Sequence, residues 1–531
     1  MSAPSDSLNA QISCPGELPV LPQLAINKIV FRRIAVHCMA LAIAVSLYGQ
    51  TKKQPATHAV ASHASGTKSL PFGKDGAAIF QADRVTQFPF SAGTSVLGLP
   101  NGGVLVAGVA QANAADIHSW QPILGRHWAI FVARLERNGT LDPSFGDAGI
   151  AVVSFAGDAG IPRRILVQPD GKILILGCTY GGWVLTMPTF YGHSNIVARL
   201  TSDGHLDSSY GKAGIATVSL GDWMRPAEPP TPKPTTQNRG YQRSTQSSRQ
   251  KEGPGTIYAG SVQPDGKLVL GGERSISGDV RFRIVRLNGD GTPDPDFKVD
   301  GLPKDFGAET ITGLAVQPNG NIWAVGQKGT GTIFAAGTVA RLLPDGTPDD
   351  SFGYHGYVLW KNAVQGVFVD GFLTPNGKFL IAGGGGAPGG FVVARFNLDG
   401  TLDKNYGKEG AARLITKGFG VNSPMSAVAT ESGEVYISGT NADMFKNDSR
   451  AVRFSATGLA DSSWSGGALA TVPFRCEGVS GRIFGSMPVF GEQSIGFSGG
   501  RLFFSSATSK TFEEGNSSHN EIQVIVASPT R

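Results

Sequence analysis

Along most of this chain, short apolar stretches alternate with glycine-centred polar breaks. Ile173-Leu174-Ile175 follows Pro169-Asp170-Gly171-Lys172, and Leu268-Val269-Leu270 follows Pro264-Asp265-Gly266-Lys267. Pro375-Asn376-Gly377-Lys378 is a third close copy. Looser copies are Pro318-Asn319-Gly320-Asn321, Pro100-Asn101-Gly102-Gly103, Ser432-Gly433-Glu434 and Gly499-Gly500-Arg501. Asp-Gly and Asn-Gly between apolar runs predict hairpins whose two central residues both take positive φ, where glycine carries no Cβ penalty. A second motif reads Val-Ala-Arg-Leu, then Asp-Gly, then Leu-Asp-x-Ser-Phe-Gly-x-x-Gly. Its first copy runs from Val132-Ala133-Arg134-Leu135 through Asp142, Phe145, Gly146 and Gly149. It returns with Arg199, Asp207 and Tyr210; with Arg286, Asp294 and Phe297; and with Arg341, Asp349 and Phe352. Arg395, Asp403 and Tyr406, then Arg453, Asp461 and Trp464, complete the series.

The hairpin glycines Gly102, Gly171, Gly266, Gly320, Gly377, Gly433 and Gly500 mark the period. Each interval accommodates about four short strands, the content of one propeller blade. The long interval between Gly171 and Gly266 contains segment 221–256, rich in Pro, Thr, Gln and Ser, and removing it restores the period. That segment is too polar to fold alone and reads as a disordered insertion. An orphan Leu70-Pro71-Phe72-Gly73-Lys74-Asp75-Gly76 precedes the first hairpin and matches the end of the second motif. The apolar run Ile522 to Ala527 follows the last hairpin, where Val-Ala-Arg-Leu belongs. The expected fold is all-β: a β-propeller of about seven four-stranded blades, closed by pairing the N-terminal strand with the C-terminal blade, which removes free sheet edges.

These motifs, over roughly residues 69–527, resemble the delta-60 repeat, a bacterial β-propeller family of mostly uncharacterised, often exported proteins. The resemblance implies a propeller scaffold and no particular reaction. The expected organisation is a leader over 1–49, a flexible linker over 50–68 and the propeller over 69–531, interrupted by 221–256. In the leader, Lys28, Arg32 and Arg33 precede an apolar run from Ile34 to Leu47, too short for a membrane span and suited to a signal peptide. The expected location is therefore exported: periplasmic, cell-surface or secreted.

Composition narrows the partners. The net charge is +5, and the excess basic residues lie in the leader and the insertion, which leaves the propeller body nearly neutral. No basic face for nucleic acid follows from this pattern, and no membrane span is expected in the folded body. The four cysteines, Cys14, Cys38, Cys178 and Cys476, form no CxxC pair, and Cys178 and Cys476 read as buried thiols. The nine histidines show no H-x-x-x-H pair, so no metal cluster is proposed.

The repeated aspartates Asp142, Asp207, Asp294, Asp349, Asp403 and Asp461 read as turn caps. Structural calcium is the alternative for them, and no other cofactor is implied. The repeated arginines read as anchors between blades. Gly496-Phe497-Ser498-Gly499-Gly500 matches G-x-S-x-G, but it falls on a hairpin where a nucleophile elbow needs a helix. Gly384, Gly386 and Gly389 match G-x-G-x-x-G, yet a strand follows them. Departures from the repeat are better candidates. The aromatic residues Trp120, Trp128, Trp183 and Tyr191, with His193, crowd into the connections of the first two blades and suit a glycan or protein surface. The leading expectation is a monomeric, non-enzymatic binding or structural scaffold for an envelope or extracellular ligand. The alternative is a polysaccharide hydrolase or lyase at the channel face, using Asp116, His118, His127, Tyr191 and His193.

Overall fold

The computed structural model describes residues 72–74, 76–80, 91–111, 128–155, 158–181, 194–220, 255–276, 279–299, 310–328, 336–360, 367–384, 390–415, 423–440, 449–461, 464, 470–472, 494–511 and 518–527. The chain divides between His58 and Ala59, and every described residue belongs to the second unit. The segments expected to be leader (1–49) and linker (50–68), and residues 221–254, lie outside the described residues.

The strands group into seven antiparallel sheets. The first strand, β1 (Ala77–Phe80), belongs to the last sheet. Blade 1 is β2 (Ser91–Gly98), β3 (Val104–Gln111), β4 (Trp128–Leu135) and β5 (Ile150–Val153). Blade 2 is β6 (Asp158–Val167), β7 (Ile173–Gly181), β8 (Ser194–Leu200) and β9 (Ile215–Val218). Blade 3 has three described strands, β10 (Thr256–Val262), β11 (Leu268–Ile276) and β12 (Asp279–Leu287). Blade 4 is β13 (Thr310–Val316), β14 (Ile322–Lys328), β15 (Ala336–Leu342) and β16 (Tyr357–Trp360). Blade 5 is β17 (Val367–Leu373), β18 (Phe379–Gly384), β19 (Gly390–Phe396) and β20 (Ala411–Ile415). Blade 6 is β21 (Ser423–Ala429), β22 (Val435–Thr440), β23 (Ser449–Phe454) and β24 (Ala470–Val472). Blade 7 joins β25 (Ser494–Ser498), β26 (Arg501–Thr511) and β27 (Ser518–Ala527) to β1, with Ala77 opposite Ile525 and Phe80 opposite Ile522.

The first strands of the blades form the inner ring: β2 packs on β6, then β10, β13, β17, β21 and β25 follow in turn, and β25 returns to β2. Apolar side chains fill the spaces between blades. Trp323 of β14, for example, lies between Phe352 and Phe379 of blades 4 and 5, at 4.8 and 4.7 Å between ring centroids.

The hairpins differ in one respect from the sequence expectation. Gly171 has φ 84°, but Asp170 is not in the left-handed region. Gly171 N–H donates to Gln168 C=O at 2.9 Å, so Pro169 and Asp170 are the central pair and glycine closes the turn. Proline holds its own φ near −65°, which forbids a turn with positive φ at its first central residue. The carboxylate of Asp170 then accepts from Lys172 N–H at 3.2 Å.

One contact recurs between blades. An arginine from the third strand donates to a carbonyl in the next blade's glycine turn: Arg134 to Ser202, Arg199 to Gly289, Arg286 to Pro344, Arg341 to Leu398 and Arg395 to Ala456. A backbone bond runs beside it, as in Gly146 N–H to Asp203 C=O at 2.7 Å. Gly204, at φ 92°, permits this approach, because a Cβ there would lie 2.7 Å from the nitrogen of Gly146. Blade 7 reaches the same arrangement differently. Val526 stands where the arginine belongs, opposite Phe503. Arg501, in the hairpin position held elsewhere by Lys172, donates to Arg137 C=O of blade 1 at 2.6 Å. Arg501→Ala should therefore lower stability by about 1–3 kcal/mol, because it removes a charge-assisted hydrogen bond between blades at ring closure. Urea unfolding of the full chain checks this; an unchanged midpoint would show that closure does not depend on Arg501.

Candidate functional site

The repeated aspartates are engaged within their own blades. Asp207 Oδ2 accepts from Arg199 Nε at 2.9 Å, and its Oδ1 accepts from Ser209 N–H and Oγ–H at 3.1 and 2.6 Å. Asp142, Asp349 and Asp403 repeat the arginine bond and the turn cap, and Asp294 does so with Asp296 N–H. Asp461 accepts from Arg453 Nη1 at 2.9 Å. Each arginine also lies over an aromatic ring, with Arg199 Cζ 4.4 Å from the Tyr210 centroid. The hairpin lysines join the same carboxylates, Lys267 to Asp294 at 2.8 Å and Lys378 to Asp403 at 2.7 Å. These carboxylates are therefore committed to turns and guanidinium groups. No group of three or more His, Cys, Asp or Glu able to hold a metal occurs among the described residues.

Strand direction sorts the connections. Within an antiparallel blade, the first-to-second and third-to-fourth connections share one end, and the second-to-third and blade-to-blade connections share the other. The Pro-Asp-Gly turns and the Asp-Gly turns thus occupy one face. The connections that leave the opposite face include 112–127, 182–193 and 221–254, which contain Trp120, Trp183, Tyr191 and His193 as well as Asp116, His118 and His127. Those residues lie outside the described set. The backbone of Trp128 opens β4, and its side chain is also outside it. Ser498, the G-x-S-x-G serine, donates Oγ–H to Leu99 C=O of blade 1, a contact between blades. Cys178 is buried.

The channel holds residues that the sequence reading missed. Six inner strands carry a β-bulge at the same place, between Gly93/Ser95, Pro162/Arg164, Ile257/Ala259, Ile311/Gly313, Phe368/Asp370 and Pro424/Ser426. Strand pairing makes Ser95, Arg164, Ala259, Gly313, Asp370, Ser426 and Ser494 equivalent, one per blade. The serines stitch blades together: Ser95 Oγ accepts from Ile165 N–H at 3.3 Å, Ser426 Oγ from Ile495 N–H at 3.4 Å and Ser494 Oγ from Val96 N–H at 3.0 Å.

Blades 2 and 5 break this row with opposite charges. Arg164 Nη2 donates to Asp370 Oδ2 at 2.9 Å and Nη1 to Oδ1 at 3.4 Å. Blades 2 and 5 are not neighbours in the ring, so the pair spans the channel. Blade 4 accommodates it, because a Cβ on Gly313 would lie 2.6 Å from Gly371 N. That N–H instead donates to Asp370 Oδ1 at 2.9 Å. Burial pushes the Asp370 carboxyl above its ordinary value, against the pull of Arg164.

The bulged residues add a second non-repeating set. Arg163 Cζ lies 5.1 Å from the Tyr258 ring centroid, and Tyr258 Oη–H donates to Glu273 Oε1 at 3.4 Å. Thr310 Oγ–H donates to the other oxygen of Glu273. Burial pushes the Tyr258 phenol well above its ordinary value, so it stays protonated and acts as a donor. The available signal for all of these was polar residues inside inner strands, at a register where other blades carry Ser, Ala or Gly.

A family model described as a domain of unknown function (DUF5122) beta-propeller matches residues 128–145, 263–297 and 374–406, which hold copies of the two motifs. No curated protein matches the chain. Among solved structures, a protein of unknown function from Dyadobacter fermentans DSM 18053 is 11% identical, with 85% of this chain and 98% of that one covered, at a TM-score of 0.37. Polysaccharide lyase Uly1 is 12% identical over 82% of this chain and 89% of its own, at 0.40. An α-L-arabinofuranosidase from Fusarium graminearum is 12% identical over 69% and 92%, at 0.37.

The aspartate network sets a pH dependence. Burial opposes the charge at Asp142, Asp294, Asp349 and Asp403, but hydrogen bonds and the paired arginine outweigh it and lower each carboxyl. At Asp207 the Ser209 hydroxyl contributes most, and the result is again lowered. A depressed folded pKa adds stability above the unfolded value and loses it as pH falls, so stability should drop below about pH 4. Urea midpoints against pH check this, and Asp207→Asn should flatten the acid limb.

Proposed function

We propose that this chain is an exported binding propeller of the delta-60 repeat kind, whose ligand is an envelope or extracellular glycan or protein. One observation carries the reading. The repeat's regular turns occupy one face, while the connections that depart from the repeat leave from the other. Binding surfaces are built on variable connections held by a rigid scaffold. The first two blades contribute aromatic-rich connections there, and aromatic side chains offer flat apolar area with polar edges, suited to sugar rings or peptides. Export rests on the basic-then-apolar pattern between Lys28 and Leu47. The repeat arginines and aspartates have no part in this surface, since all are consumed by contacts within and between blades.

The test uses the full chain against glycan and peptide arrays, followed by titration of the best binder. Removal of 221–254, Trp120→Ala or Trp183→Ala should each leave the thermal midpoint unchanged. At least one should weaken binding about tenfold or more, as expected for an aromatic anchor in an interface. Unchanged binding in all three variants sinks this reading.

A further inference from the structure

Arg164 is bonded differently from the repeat arginines of blades 1 to 5, each of which uses Nε on an aspartate. Arg199 uses Nε on Asp207, Nη1 on Gly289 C=O and Nη2 on Ser209 Oγ, and its side chain is 6% exposed. Arg164 uses only its two Nη groups, both on Asp370, and its side chain is 25% exposed although it sits within the ring of inner strands. A guanidinium carries five N–H donors, so Nε–H and the outer Nη hydrogens have no partner among the described residues. At the equivalent positions other blades carry small residues, Ala259 and Gly313, and serines whose Oγ atoms accept from neighbouring backbone N–H groups. Asp370 neutralises the guanidinium and, by end-on bidentate contact, holds it in one orientation. Arg163 precedes it on the same strand and lies over the ring of Tyr258, whose hydroxyl donates to Glu273.

Stability does not explain the pair. Replacing a buried ion pair with uncharged groups of similar size is often neutral or stabilising, because desolvation cancels much of the attraction. The ring already closes through strand pairing, serine stitches and arginine contacts. Blades 2 and 5 give up that stitching residue for a braced guanidinium with donors to spare. Such a group suits a planar or tetrahedral oxyanion, which accepts parallel N–H bonds from arginine.

We infer that the propeller channel binds the carboxylate or sulfate group of an acidic ligand, through the donors of Arg164 that Asp370 leaves free. This deepens the binding role proposed above and rests on it for the ligand's biological source. Asp370 braces the guanidinium and also competes for it, which gives the two residues opposite effects on affinity.

Calorimetric titration of the full chain tests this with inorganic sulfate, glucuronate and tetragalacturonate, with maltotetraose as the uncharged control. The wild-type chain should bind at least one charged probe, more weakly as salt rises, and should not bind maltotetraose at the same site. Arg164→Gln should weaken that binding about tenfold or more, the scale of a lost charge-assisted hydrogen bond. Asp370→Asn should strengthen it. The double variant R164Q/D370N removes both charges together and controls for folding through its thermal midpoint. Sulfate binding equal to oligouronide binding would identify a free anion as the ligand; tighter tetragalacturonate binding would identify an acidic polymer. Failure of every charged probe to bind wild type, or shifts of R164Q and D370N in the same direction, overturns the inference. Loss of array binding in the connection variants with no effect of R164Q would overturn it while leaving the proposed binding face intact. The reverse pattern would retain the channel site and remove the aromatic face.

Discussion

Blades 1 to 5 each depend on one guanidinium that does three things at once. The repeat arginine pairs with the aspartate eight residues later, lies over the aromatic ring three further on, and donates to a carbonyl in the next blade's turn. A single side chain thus couples a blade's third strand, its outer turn and its neighbour. Each interaction offsets the desolvation cost of another, because the carboxylate satisfies the guanidinium, the ring covers its face, and the remaining donor reaches the neighbour's carbonyl. Changing any member leaves the others buried without a partner. That explains why Arg, Asp and Phe or Tyr recur together at fixed spacing.

The exceptions follow from the same constraint. Blade 7 is split between β1 and β25 to β27, so it has no Asp-Gly turn between its third and fourth strands. Among the described residues Arg453 of blade 6 reaches no turn carbonyl of blade 7, and its Nη2 pairs with Glu434, which replaces the usual hairpin lysine. In blade 7 the arginine and aspartate are lost together: Val526 holds the arginine position and Ser69 the aspartate position. Arg501 restores the bond to blade 1 from the adjacent strand. Losing one partner alone would leave a buried, unpaired charge, which costs more than losing both.

The channel row shows a repeat departing from itself for another reason. Serine is the residue that joins one inner strand to the next, and three blades keep it. Blades 2 and 5 hold arginine and aspartate at that register, and blade 4 has glycine to make room. In a ring of copied units, a compensated change across several blades marks the place where the molecule differs from its scaffold. The bulges matter here, because each re-aims the residues that follow it out of the regular alternation of the strand.

The sequence by itself determined the architecture. Hairpin glycines, the paired motifs and the split motif at the two ends follow from local backbone demands and from side chains that must pair, and both recur with the period of the blade. It also marked Asp142 and its equivalents as turn caps, since an aspartate two residues before a serine N–H is a local signal. The turn type needed more care, because proline before Asp-Gly excludes the positive-φ pair that Asp-Gly alone suggests. Only the tertiary structure joined Arg164 of blade 2 to Asp370 of blade 5, which are 206 residues apart in a sequence where nothing local refers to the other. Ring closure brings those two strands face to face, and the bulge register, invisible in a linear pattern, turns both side chains into the channel. Long-range electrostatic pairs depend on where the whole chain returns, whereas turns and caps depend only on neighbours.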